Sequence, residues 1–302
     1  MIWANLLHLS TNMWCDRDCP EWGLEYISAK PFLRFDYDFW TELLRKMVQV
    51  GMNTVVIDLG DGIRYENRPE IAVEGAWTSE ELRGELARIR EMGLAPIPKL
   101  NFSTAHDAWL GPYSRCVSTE TYYAVCRDLI SEVCELFGKP TLFHLGMDEE
   151  TAAHQQHYAY AAVRQHELWW HDLLFLVEQV EGGGSRAWIW SDYVWHHPDT
   201  FFAKMPKSVL QSNWYYGAEL PADGADAKAF DELESRGYEQ VPTGSNWSHP
   251  ENFERVVAYC KSKIAPERLL GFLQTPWKPT LPACRDRHLQ AIEVAGKAIA
   301  RF

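Results

Sequence analysis

Asp148-Glu149-Glu150 is the one place in this chain where three carboxylates stand side by side. In a partly buried cleft such groups cannot all ionise freely, because like charges raise one another's pKa. One then keeps its proton near neutrality and serves as an acid, while its neighbour stays charged. The same residues would also suit a helix start, where acids meet the positive end of the dipole and Asp148 caps the first turn. Spacing alone leaves both readings open.

The elements around the cluster favour a cleft. Short apolar runs alternate with amphipathic stretches, the pattern of βα units around a parallel sheet buried on both faces. Strands are expected at Leu6–Leu9, Asn53–Leu59, Leu94–Leu100, Thr141–Leu145, Ala187–Trp190, Ser208–Gln211, Gln240–Pro242 and Leu269–Leu273. Helices are expected at Phe35–Val50, Thr78–Met92, Thr119–Phe137 and Arg285–Ile299, and at His154–Val180 as one long helix or two abutting ones. Thr78-Ser79-Glu80-Glu81 carries a capping signature. Eight strands without a composition break predict a single (β/α)8 TIM barrel over residues 1–302. An open doubly wound sheet would want a Gly-rich phosphate loop after an early strand, and none is present.

A barrel of this kind builds its site from the C-terminal ends of its strands. Polar and aromatic residues recur there: Asp61 and Arg64 after strand two, His106 after strand three, and His144 followed by the acidic cluster at strand four. Trp190 and Asp192 follow at strand five, Trp214 and Tyr215 at strand six, Trp247 at strand seven and Trp277 at strand eight. Indole faces suit the C–H-rich face of a sugar ring, so Trp190, Trp214, Trp247 and Trp277 form a candidate aromatic box around a pyranose. Packing of these Trp on the barrel rim is the plainer alternative. His144, pointing inward below the acids, reads equally as a core histidine or as a supporting partner.

The stretch His144-Leu145-Gly146-Met147-Asp148-Glu149 resembles the His-x-Gly-Gly-Asp-Glu motif of family 20 glycoside hydrolases, the β-N-acetylhexosaminidases. Gly51-Met52-Asn53 is similar to that family's approach to strand two. Asp61 through Arg64 looks like its acidic-to-Arg loop, and His106 lies near its third-strand His. The resemblance implies a retaining, substrate-assisted hydrolysis of a β-linked hexosamine, in which the 2-acetamido oxygen attacks the anomeric carbon and no enzyme nucleophile is needed. Glu149 would then protonate the leaving oxygen, and Asp148 would orient the acetamido group and stabilise the developing positive charge. Tyr215 would hydrogen-bond the acetamido oxygen, and Trp190, Trp214 and Trp277 would enclose the ring.

Departures from the family pattern bear on specificity. Met147 replaces the second Gly and puts bulk beside the acid pair, strand one lacks the family's sugar-holding Arg, and Lys278-Pro279 follow Trp277 where the family has a carboxylate. No counterpart of the family's amino-terminal accessory domain is expected within residues 1–302. With the sugar site so altered, Asp192 becomes a candidate partner for Glu149 in a conventional pair of carboxylates.

Two other function classes compete. A metal-dependent sugar isomerase or epimerase would use Glu149 or Glu150, Asp192 and a His, although no His-x-His or His-Glu-x-x-His spacing supports it. A non-catalytic carbohydrate-binding barrel would keep the pocket without the chemistry. The preferred reading requires no cofactor and no metal.

The remaining composition narrows the partners. A net charge of −13 would repel a nucleic-acid backbone. No apolar run is long enough to span a membrane. Met1–His8 lacks the basic region of a signal peptide. Seven scattered Cys without a Cys-x-x-Cys pair read as reduced thiols of a cytoplasmic protein, or of an exported one whose signal has been cut; Cys15 and Cys19 alone are spaced to pair or to bind a metal. The oligomeric state is not legible.

Overall fold

The computed structural model describes residues 1–20, 25–221 and 223–302. Eight parallel strands form one sheet in the order β6-β5-β4-β3-β2-β1-β8-β7. They are β1 (Ile2–His8), β2 (Thr54–Asp58), β3 (Ala95–Lys99), β4 (Leu142–His144), β5 (Arg186–Trp190), β6 (Leu210–Ser212), β7 (Thr243–Gly244) and β8 (Gly271–Gln274). Parallel bridges at Gln211–Gln240 and Trp214–Thr243 join β6 to β7 and close the ring into a (β/α)8 barrel. Each expected strand overlaps or abuts an observed one; the shortest, β7, begins one residue beyond its expected range.

The helices are α1 (Tyr37–Gln49), α2 (Ser79–Glu91), α3 (Glu120–Leu136), α4 (Glu167–Gly182), α5 (Tyr193–His196), α6 (Pro198–Lys204), α7 (Ala225–Ser235), α8 (Asn252–Lys263) and α9 (Arg285–Arg301). Thr78 and Glu81 make the expected capping box on α2. The expected helix does not start at His154: residues 154–166 are turns, bends and irregular chain, and helix begins only at Glu167. His166 adopts a left-handed φ of 54°, and the preceding stretch is tied to the loop after β4 by hydrogen bonds from Arg164 to Glu150. Cys15 and Cys19 are joined, and the other five Cys are free.

Strand alternation divides the core in two. Outward residues such as Leu7, Val55, Ile57, Phe143 and Ile189 pack beneath the helices. Inward residues Ala4, Leu6, Val56, Ile97, Leu142, Trp188, Trp190, Leu210, Val241 and Leu273 fill the barrel. Above the aliphatic floor the inward positions turn polar. Register pairs His8 with Asp58, Asp58 with Lys99 and Lys99 with His144, so four ionisable residues share one level of the interior. The buried Lys99 ammonium donates to Asp58 Oδ2 at 2.5 Å, which keeps a charge in the barrel from standing unpaired. Among the described residues no helix is long and apolar enough to cross a membrane.

Candidate active site

The loop leaving β4 is held in an unusual conformation. Gly146, Met147 and Glu149 have φ of 73°, 75° and 56°. A Cβ on Gly146 would lie 2.0 Å from Asn101 Oδ1, so only glycine fits there. Met147 takes the left-handed conformation without glycine's freedom, at a cost of order 1–3 kcal/mol. Its side chain is buried in the shell outside the strands, with Sδ 3.7 Å from an Arg164 nitrogen. The bulk expected beside the acid pair is therefore directed away from it.

The three acids separate. Glu150 turns outward into a buried ion pair, accepting from Arg164 Nε at 2.6 Å and Nη2 at 2.7 Å; Arg164 also reaches Asp172 at 3.1 Å. Asp148 and Glu149 turn into the barrel mouth. No helix starts at the cluster, which removes the capping alternative for Asp148.

Asp148 is buried and accepts from Asn101 Nδ2 at 2.9 Å. His106 Nε2 lies 3.3 Å from Asp148 Oδ2 and 3.3 Å from Glu149 Oε2, bridging the pair. His154 Nε2 approaches Glu149 Oε1 at 3.6 Å from the opposite side. Burial opposes charge on both Asp148 and His106, but their mutual attraction outweighs it. Asp148 is held well below the usual carboxylate range, with Lys99 and Asn101 adding to the effect of His106. His106 is pushed up to about 10 by Asp148 and Glu149, so it is an imidazolium at neutral pH.

Asp192, on the loop after β5, accepts the backbone N–H of Glu149 at Oδ2 (2.9 Å) and faces Trp214 Nε1 at 3.5 Å. Desolvation, then the negative charges of Asp148 and Glu149, push it up to about 8. Neighbouring Asp148 and Asp192 thus hold opposite protonation states near neutrality.

These groups open on a cavity of about 400 Å³ at the C-terminal mouth of the barrel. That is the size range of small-molecule sites. Trp14, Trp190, Trp214, Trp247 and Trp277 line it, with Tyr216, His106, Asp148 and Glu149. Ring centroids of Trp190 and Trp277 lie 5.9 Å apart, those of Trp14 and Trp277 6.2 Å, and those of Trp214 and Tyr216 4.9 Å. The Tyr216 hydroxyl accepts from Trp277 Nε1 at 3.1 Å, leaving its own proton to donate. Burial raises its pKa and keeps it protonated.

Of the residues singled out in the sequence, Asp148, Glu149, His106, Trp190, Trp214, Trp247 and Trp277 meet at the cavity. Five others do not line it. Tyr215 points outward by strand parity and donates to the Glu219 carbonyl, so Tyr216 occupies the wall instead. Asp61 is buried under the loop after β1, accepting from Ser10 at 2.5 Å and Asn12 at 2.8 Å. Arg64 is exposed and does not line the cavity. His144 lies beneath the floor, packed against Trp190 at 4.3 Å; its Nδ1 accepts the Gly146 N–H at 3.0 Å and so fixes the start of the acidic loop. Asp192 stands behind Glu149 and borders a separate pocket. Sequence reasoning did not single out Asn101, Trp14, Tyr216 or His154 as site residues. Parity on β6 carries the signal for Tyr216, because Trp214 and Tyr216 share a face.

No protein-family model matches the sequence, and no curated protein matches it. Solved structures do. A chitobiase of Flavobacterium johnsoniae superposes with a TM-score of 0.65 at 17% identity, covering 87% of this chain and 46% of that one. An exo-β-N-acetylglucosaminidase of Vibrio harveyi in complex with N-acetylglucosamine gives 0.65 at 15% identity, over 99% and 56%. Dispersin B gives 0.57 at 13% identity, over 97% and 98%. The fold is that of the family 20 hexosaminidase barrel. The chain spans about half the length of the Flavobacterium and Vibrio proteins.

Proposed function

We propose that this barrel is a glycosidase acting on a β-linked hexosamine or a related sugar, with Glu149 as general acid and Asp148 as the charged group that orients the substrate's 2-acetamido function. The supporting observation is the placement of two neighbouring carboxyls at the foot of an aromatic cavity, Asp148 buried against His106 and Glu149 at the mouth. Asp148 keeps its charge and can stabilise an oxazolinium cation forming beside it. Glu149, half-buried at the mouth, is the carboxyl placed to meet a leaving oxygen. The Tyr216 hydroxyl, free to donate, suits the acetamido oxygen, and Trp190, Trp214 and Trp277 suit the ring and its methyl group. Stabilisation of this kind places charge where the transition state develops it.

Asp192 fits poorly as the nucleophile of a conventional pair, since it is neutral near pH 7 and hydrogen-bonded behind the acid. Retention with anchimeric assistance is therefore the mechanism the site supports best. A chromogenic panel of β-N-acetylglucosaminide, β-N-acetylgalactosaminide, β-glucoside and β-galactoside tests it, with the anomer of the first product read by NMR. Hydrolysis of a 2-acetamido glycoside with retention is expected. Inversion, or activity confined to 2-hydroxy glycosides, would overturn the mechanism.

One observation bears on a metal-dependent alternative: ligand atoms of His106, Asp148 and Glu149 lie within 4.8 Å of one another. His106 would have to release its proton before Nε2 could bind a cation, and the two acids oppose that release, so the arrangement favours the acid–base reading. Activity unaffected by a chelator is expected.

A further inference from the structure

The wall opposite the acid pair carries a cation that no carboxylate among the described residues pairs with. Lys278, which follows Trp277 beyond β8, lines the cavity and is half-buried. Among the described residues no carboxylate pairs with its ammonium, although the protein's net charge is −13. It is held by rings, its Nζ standing 5.5 Å from the Trp247 centroid and 5.8 Å from that of Tyr26. Ring quadrupoles fix an ammonium in place but leave its charge uncancelled. Glu25, which lines the same rim, is exposed and engaged with the Tyr26 hydroxyl.

Topology sets the direction. In the ring of eight strands β4 and β8 are four steps apart by either route, so Glu149 and Lys278 face each other across the mouth. A pyranose that spans the mouth with its anomeric carbon at Glu149 would turn the side of the ring remote from C1, C3 to C5 with their substituents, towards the β8 wall.

We infer that Lys278 selects a terminal sugar carrying an anionic group on the side of the ring remote from the scissile bond, either a C6 carboxylate or a sulfate or phosphate ester at O6. This rests on the glycosidase reading and narrows its substrate. The two sources share one chemistry, a compact anion for a half-desolvated ammonium, and such charge-assisted bonds are roughly twice as strong as neutral ones.

The test compares kcat/KM for 4-nitrophenyl β-N-acetylglucosaminide, its 6-O-sulfate and the corresponding C6 uronate, in wild type, Lys278→Gln and Lys278→Arg. Wild type is expected to favour one anionic substrate over the neutral one by about tenfold or more, with the preference shrinking at high salt. Lys278→Gln should bring the ratio near one and Lys278→Arg should keep it. The sulfate and uronate arms tell the two sources apart. A wild-type ratio at or below one, or a ratio that Lys278→Gln leaves unchanged, overturns the inference. Should no glycoside be cleaved, calorimetry on the intact protein with free N-acetylglucosamine, its 6-sulfate and the free uronate separates the questions. Preferential binding of an anionic sugar that Lys278→Gln abolishes supports the role of Lys278 without the hydrolase. Equal binding, or none, overturns it.

Discussion

The backbone N–H of Glu149 donates to the Asp192 carboxyl at 2.9 Å, so the loops after β4 and β5 are locked together directly behind the proposed acid. That contact places a carboxyl beside Asp148 and Glu149 that stays protonated up to about pH 8, against an ordinary value of 3.8. The sign of the linkage follows. The folded chain holds a proton that the unfolded chain releases, so stability falls as pH rises from about 4 to about 8. Asp192→Asn should flatten the Tm profile across that window. An unchanged slope would show that Asp192 ionises normally.

His106 works with the same sign in a later window. Its folded pKa of about 10 exceeds the ordinary 6.5, so its stabilisation is complete below about 6.5 and lost as pH climbs towards 10. Asp148 is the opposite case, contributing above its ordinary 3.8 and losing its contribution as pH falls below that value. His106→Gln is expected to weaken the alkaline decline of Tm. An NMR titration placing the His106 pKa below 7 would contradict the charged bridge.

Glu150 is predicted to matter for stability and little for chemistry. Its carboxylate pairs with an Arg164 guanidinium that is almost wholly enclosed. Removing one partner of a buried pair typically costs about 3–5 kcal/mol, because the other charge is left stranded. Asp172 still holds Arg164, so the lower end of that range is expected for Glu150→Gln. Denaturant unfolding measures the loss, and the folded variant should retain its kcat. A hundredfold fall in kcat with unchanged stability would move Glu150 into the reaction.

Gly146 and Met147 give contrasting outcomes at neighbouring positions. Gly146→Ala puts a methyl into Asn101, which holds both Asp148 and the loop, and should depress activity as well as Tm. Met147→Gly removes a side chain from the outer shell and relieves a left-handed φ, so kcat/KM should stay within a few-fold of wild type. Kinetics on both variants check the pair. A large kinetic effect at Met147 would mean that its side chain reaches the cavity.

The barrel is legible in the sequence because eight short apolar runs are separated by amphipathic stretches, and β2 is β-branched at four successive positions, Thr54 to Ile57. The acidic loop is legible because three carboxylates follow an inward-facing strand. Which of the three would point inward is not, since the left-handed turns at Met147 and Glu149 break simple alternation. Tyr216 is hidden by an adjacent tyrosine of the same type. Asp61 and Arg64 look like site residues from position alone, but the loop after β2 folds under that after β1 instead of over the cavity. His154 opens a segment expected to be helical, and only its turn conformation brings the side chain to the cavity.

The central claim is that Glu149 donates the proton to the departing oxygen. The most direct measurement is kcat/KM of wild type and Glu149→Gln on a 2-acetamido β-glycoside with a poor leaving group, beside the same comparison for Asp148→Asn. A loss of about a hundredfold or more is predicted for Glu149→Gln, in line with general-acid contributions. Asp148→Asn should be nearly as damaging on that substrate and milder on a 2-hydroxy glycoside. A folded Glu149→Gln protein that hydrolyses the substrate at the wild-type rate would contradict the account.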